Sequence, residues 1–121
     1  MPPRVRRGDP VEVAAARERW EEGGADRGDL RLLVKDSLAQ LHQRAPGSSV
    51  EVRVPPYAAV QVVGGTAHKR GTPPAVVETD PATWLDLAYG REEWGSAVAA
   101  GRVLASGERS DLSDLLPVDR P

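Results

Sequence analysis

The chain has 121 residues, enough for one domain with a single core and too few for two ordinary ones. Its 16 basic and 18 acidic residues leave a net charge of −2 with the basic residues scattered, which argues against a broad electropositive face for nucleic acid or an anionic membrane. No apolar window has the length of a membrane span, the start MPPRVRRGDP has no apolar run behind its positive charge, and cysteine is absent; the expectation is a cytoplasmic protein with no stable membrane insertion, disulfide or thiolate chemistry.

A hydrophobic share of 40% with 28% charged residues is globular, and 12 Gly with 11 Pro predict short elements. The expected plan is a flexible tail over residues 1–8, one domain over 9–117 and a flexible end over 118–121. Arg4, Arg6 and Arg7 read as part of a solvated tail rather than a binding arm. All but two of the 16 basic residues are Arg and Phe is absent, a pattern of high-GC bacterial codon usage, so the missing Phe does not by itself point to a cavity.

Asp9-Pro10-Val11-Glu12 predicts a helix start, with Asp9 accepting from an orphan N–H, Pro10 in the first turn and Glu12 placed as in a capping box. Val13, Ala16 and Trp20 then share a face, and Gly23-Gly24 stops the helix. Asp29 is read as the cap of a second helix, whose Leu30, Leu33, Val34, Ser37, Leu38 and Leu41 form one apolar stripe.

From Val50 the period changes to two, predicting a strand through Val54 that turns at Pro55-Pro56 into a second strand, Ala58 to Val63. Thr66 to Pro74 is a loop, and Ala75 to Thr79 makes a third strand. Asp80-Pro81 starts a short helix carrying Trp84, Leu87 and Ala88 and ending at Gly90; Trp94, Ala97 and Val98 mark another, closed by Gly101. Arg102 to Ser106 is a fourth strand, and Ser110 is read as capping a final helix with Leu112, Leu115 and Leu116 inward before Pro117. Strands in an early run and helices on either side argue for α+β with a four- to five-stranded mixed or antiparallel sheet.

Catalytic machinery has no visible foothold. His42 and His68 are the only imidazoles, no thiol accompanies them, and neither a clustered Asp motif nor a nucleophile elbow appears, so no metal, cofactor or enzymatic activity is expected. The loop Gly64 to Pro74 carries His68, Lys69 and Arg70; it reads either as an anion or headgroup site with Arg70 as bidentate partner, or as a solvated loop balanced by Glu78.

The stretch VVETDPATWLDLAYGREEWGSAVAAGRVLASGERSDLSDLL, residues 76–116, runs a strand through Asp80 into a Trp/Leu-rich helix and closes a second helix on Gly101 before RVLASG. In these landmarks it resembles the C-terminal half of the sterol carrier protein fold, in its bacterial orthologue branch. PATWLDLAYGR is similar also to the C-terminal domain of mycothiol-dependent maleylpyruvate isomerases, for which it implies at most an accessory role. The resemblance implies a sheet of about five strands with helices on one face, a hydrophobic tunnel between them, and non-enzymatic carriage of a lipid or acyl-type ligand. The chain departs from it by breaking at Pro117, where the family's binders often extend into a longer final helix.

On that reading Trp84, Leu87, Trp94, Val98, Leu112 and Leu115 line the tunnel, and His68 with Arg70 meets a polar head. On the residues alone, the same apolar set reads first as a plain core. The alternative function is a protein-interaction or accessory module that takes a partner's segment in an apolar groove.

Overall fold

The computed structural model describes residues 5–65, 74–107 and 109–119. Helix α1, Pro10–Glu21, starts where Asp9 accepts the Glu12 N–H at 3.0 Å and Pro10 occupies the first turn. It ends at Gly23, whose φ of +82° is a left-handed conformation costly for other residues.

Helix α2, Arg27–Arg44, begins earlier than its apolar stripe implies. Its cap is Asp26, which accepts the Asp29 N–H while Asp29 reaches back to the Asp26 N–H, a reciprocal capping box. Asp29 is therefore the third helical residue and not the cap. The sequence offers two acidic candidates three residues apart, and the earlier one wins because together they satisfy two orphan donors. Asp29 also takes both guanidinium nitrogens of Arg19 at 2.8 Å, which joins the start of α2 to α1 and holds its carboxyl below the usual range.

Strands β1 (Val50–Val54), β2 (Ala58–Val62), β3 (Ala75–Thr79) and β4 (Val103–Ser106) form one mixed sheet in the order β2-β1-β3-β4. β1 runs antiparallel to β2, with Val52 opposite Val60, and parallel to β3, with Val52 opposite Val77; β3 and β4 are antiparallel. Val50, Val52 and Val54 are fully buried, whereas Arg53 on the opposite face lies 3.9 Å from both Glu51 and Glu78. That alternation gives the sheet one dry face and one polar face. The fold is thus α+β, as expected, with four strands among the described residues.

Two further helices follow, α3 (Pro81–Ala88) and α4 (Trp94–Ala99). Asp80 caps α3 by accepting from both the Thr83 N–H and the Thr83 hydroxyl. The expected final helix is absent: Ser113–Leu115 makes a single 3-10 turn, and the Ser110 hydroxyl donates to Gly107 O. Asp111 instead accepts the Ser113 N–H at 2.9 Å, a local turn that competes with helix formation.

The core joins Leu33, Val34, Leu38 and Leu41 of α2 to the inward valines of the sheet and to Trp84, Leu85 and Leu87 of α3. Trp84 is fully buried, and its indole N–H donates at 2.9 Å to Ser37 Oγ. Ser37 in turn donates to Leu33 O at 2.7 Å. Residues flanking the domain bounds expected from sequence are also engaged: the Gly8 N–H and Arg7 Nε both reach Asp36, and the Val118 N–H reaches Ala88 O.

Ser37→Ala leaves the Trp84 N–H buried without an acceptor. The expected loss is about 1–3 kcal/mol of stability, read as a lower urea midpoint at unchanged slope. A midpoint equal to the wild type would show that the indole finds another partner.

Candidate functional site

Two helix ends and the C-terminal segment meet at one side of the sheet's helical layer. α3 closes in a Schellman arrangement, with the Gly90 N–H on Leu87 O and the Arg91 N–H on Asp86 O, and Gly90 at φ +80°. Glu92 and Glu93 follow, and α4 starts at Trp94 with no side-chain cap from Glu93. α4 repeats the closing motif, the Gly101 N–H on Val98 O and the Arg102 N–H on Ala97 O.

The C-terminal segment returns alongside. Leu112 and Leu116 are buried, Val118 bonds the end of α3, and Arg44 at the end of α2 donates to Pro117 O at 3.1 Å. Between these parts lies a cleft of about 440 Å³, within the range of small-molecule sites. One wall is Leu87, Gly90, Glu92, Glu93, Trp94 and Gly95; the other is Ser113, Leu116 and Pro117.

The apolar residues expected to face a ligand divide into three groups. Leu87 and Trp94 reach this cleft. Trp84 and Leu112 are fully buried in the core, and half-buried Leu115 packs against it. Val98 is 39% exposed and does not line the cleft; Ala97, fully buried, is the inward residue of α4. His68 and Arg70 lie outside the described residues. Sequence periodicity missed Glu92, Glu93, Gly95, Ser113, Leu116 and Pro117 as neighbours in a cleft. The available signal was the pair of helix-stopping glycines, Gly90 and Gly101, bracketing a polar-then-aromatic start at Glu93-Trp94.

Beside the cleft, at the end of α3, charge and aromatic rings interleave. The Arg17 guanidinium sits 4.0 Å from the Tyr89 ring centre, Tyr89 meets Trp20 edge-on at 5.2 Å, and Arg91 lies 4.3 Å from the Trp20 ring. Tyr89 OH is buried with no hydrogen-bond partner among the described residues. Burial pushes its pKa up to about 12, the nearby Arg17 charge opposing and Asp36 and Asp119 adding to the rise.

No group of His, Cys, Asp and Glu able to hold a metal occurs among the described residues. The His42 ring is committed elsewhere: its Nδ1 lies 2.8 Å from Gln61 O, tying the end of α2 to β2. No helix among the described residues is long and apolar enough to cross a membrane.

The fold is that of a small α+β domain with a four-stranded mixed sheet and a cleft at the end of α3. The chain belongs to the sterol carrier protein family: the sequence model of the bacterial SCP ortholog matches residues 26–118. The match begins at the α2 cap, so α1 precedes it. Comparison with curated proteins gave no match.

The buried phenol makes a spectroscopic prediction. Tyr89 and Tyr57 are the only tyrosines, so phenolate absorbance of a Tyr57→Phe variant reports Tyr89 alone. Its transition should lie near pH 12. An acid whose pKa is raised on folding favours the native state below its unfolded value, and that contribution is lost as pH rises from about 10 towards 12. A transition near 10 in protein that is still folded would contradict the burial of this hydroxyl.

Proposed function

We propose that this protein binds and carries a small hydrophobic ligand of lipid or acyl type without transforming it, and that the ligand enters the cleft between α3, α4 and the C-terminal segment. Membership of a family of generally non-enzymatic carriers supports carriage. The carrying observation is the 440 Å³ cleft with Leu87, Trp94, Leu116 and Pro117 among its walls. Each ligand methylene withdrawn from water contributes about 0.8 kcal/mol, so ten supply roughly 8 kcal/mol gross before association costs. Trp84 and Leu112 act in this reading as the packed support behind the cleft, and Leu115 and Val98 take no direct part.

Gly95 gives a clean handle, because a Cβ built there meets nothing within 4 Å. Gly95→Ala should leave binding of a fluorescent acyl probe intact and raise stability by at most about 0.5 kcal/mol, since Gly95 stands in the first turn of α4 rather than in a helix interior. Gly95→Leu adds bulk to the wall that Gly95 lines and should weaken probe binding while the unfolding midpoint is retained. Wild-type probe affinity in Gly95→Leu would remove this cleft from the proposal. Denaturing extraction of the purified protein, followed by mass spectrometry, is expected to release a hydrophobic small molecule.

A second reading, an interaction module, draws on strand β4. It pairs only with β3 among the described residues, and Leu104 on it is 66% exposed. A stoichiometric protein partner lost on Leu104→Lys, with no extractable small molecule, would favour this reading over carriage.

A further inference from the structure

The charges around the cleft select among amphiphiles. Its walls include two ionisable side chains, Glu92 and Glu93, and no Lys, Arg or His among the described lining residues. Glu92 is already neutralised by an ion pair with Arg102. Glu93 has no hydrogen bond or ion pair from its carboxylate among the described residues and does not cap α4, although it stands at the cap position. The nearest cation in sequence, Arg91, two residues earlier, is engaged on the Trp20 ring. Next in the chain stands Trp94, half-buried and lining the same cleft.

A free carboxylate beside an indole is a receptor for a cation attached to an apolar body. The carboxylate supplies charge, and the ring supplies a face attractive to an ammonium group. An opposing field comes from the N-terminus of α4, whose partial positive charge favours anions. That end carries about half an elementary charge at most, is weaker in so short a helix, and faces a full negative charge on Glu93. The carboxylate prevails.

Resting on the carriage reading above, we infer that the cleft takes an amphiphile with a cationic head, a primary or quaternary ammonium on an apolar chain, in preference to a fatty carboxylate. Glu93 pairs with the head, Trp94 flanks it, and the chain lies along Leu87, Leu116 and Pro117.

The test is calorimetric titration of the full chain with dodecyltrimethylammonium, dodecylamine, dodecanol and dodecanoate, all below their micellar concentrations. Either ammonium compound should bind about tenfold more tightly than dodecanoate, the combined scale of one ion pair and one cation–π contact. Glu93→Gln should remove most of that difference. Glu22→Gln changes the net charge equally at an exposed site outside the cleft and should leave the difference unchanged. Added salt should narrow it. Equal binding of all four compounds, or a preference for dodecanoate, overturns the head-group inference while carriage stands. An effect of Glu22→Gln equal to that of Glu93→Gln also overturns it, as a consequence of net charge alone. Failure of all four to bind, dodecanol included, defeats the carriage reading itself.

Discussion

The bond from the Trp84 indole to Ser37 fixes α3 against α2 on the dry face of the sheet. A fully buried tryptophan brings one donor into a medium where an unmatched N–H is costly. Ser37 Oγ meets it at 2.9 Å, and the serine proton is accepted in turn by Leu33 O at 2.7 Å within the same helix. The chain of two bonds needs a small hydroxyl at one point in the apolar stripe of α2, and it locks α3 across that point. With the Asp80 cap before it and the Gly90 closing motif behind it, α3 has little freedom to slide. Leu87, Tyr89 and Gly90 consequently emerge at a fixed place, and there the cleft and the aromatic cluster form.

Elements governed by local physics were legible in the sequence. The α2 stripe, the alternating valines of β1, the proline turn into β2 and the glycine stops of α3 and α4 all follow from spacing and from single residues with special backbone preferences. Elements decided by competition or by distant contacts were not. Asp26 displaced Asp29 as cap because the two acids cooperate, a choice visible only once both backbone donors are placed. The C-terminal helix failed because Asp111 captures the Ser113 N–H locally and Leu112 and Leu116 are drawn separately into the core. In α4, six residues give less than two turns, so spacing could not separate Ala97 from its exposed neighbour Val98. The cleft was illegible for a deeper reason: periodicity identifies side chains that leave water, whereas a cleft is lined by whatever stands at the ends of elements, polar residues and glycines included.

Helix α1 is held by different forces from the rest. Ala16 is its one fully buried residue, and the Val13 and Trp20 seam is only partly covered. Arginine does much of the attachment, through Arg7 on Asp36, Arg19 on Asp29, Arg17 on Asp119 and the Tyr89 ring, with Arg91 returning the contact onto Trp20. Exposed ion pairs contribute little each, but Asp36 is 2% exposed and also accepts the Gly8 N–H, so its bonds are the firmest of this set. The family match starts at residue 26, after α1, and charge with aromatic contact attaches this helix without a second deep core.

The cleft owes its volume to missing side chains and its width to bonds that lie outside it. Gly90 and Gly95 contribute no bulk to one wall, while the opposite wall is held in place by the Val118 N–H on Ala88 O and by Arg44 on Pro117 O. Neither bond would be lost when a guest enters. The floor, however, is already dry: Leu87 is 1% exposed and Leu116 8%, so a ligand gains little by covering them further. Most of the apolar driving force must come from the ligand's own desolvation and from Trp94, and any two chains of equal length obtain nearly the same amount. For the proposed ligand, the tail would then govern how tightly it binds and the head which compound is chosen. On the proposed reading, the Glu93 carboxylate is then the residue on which discrimination would turn.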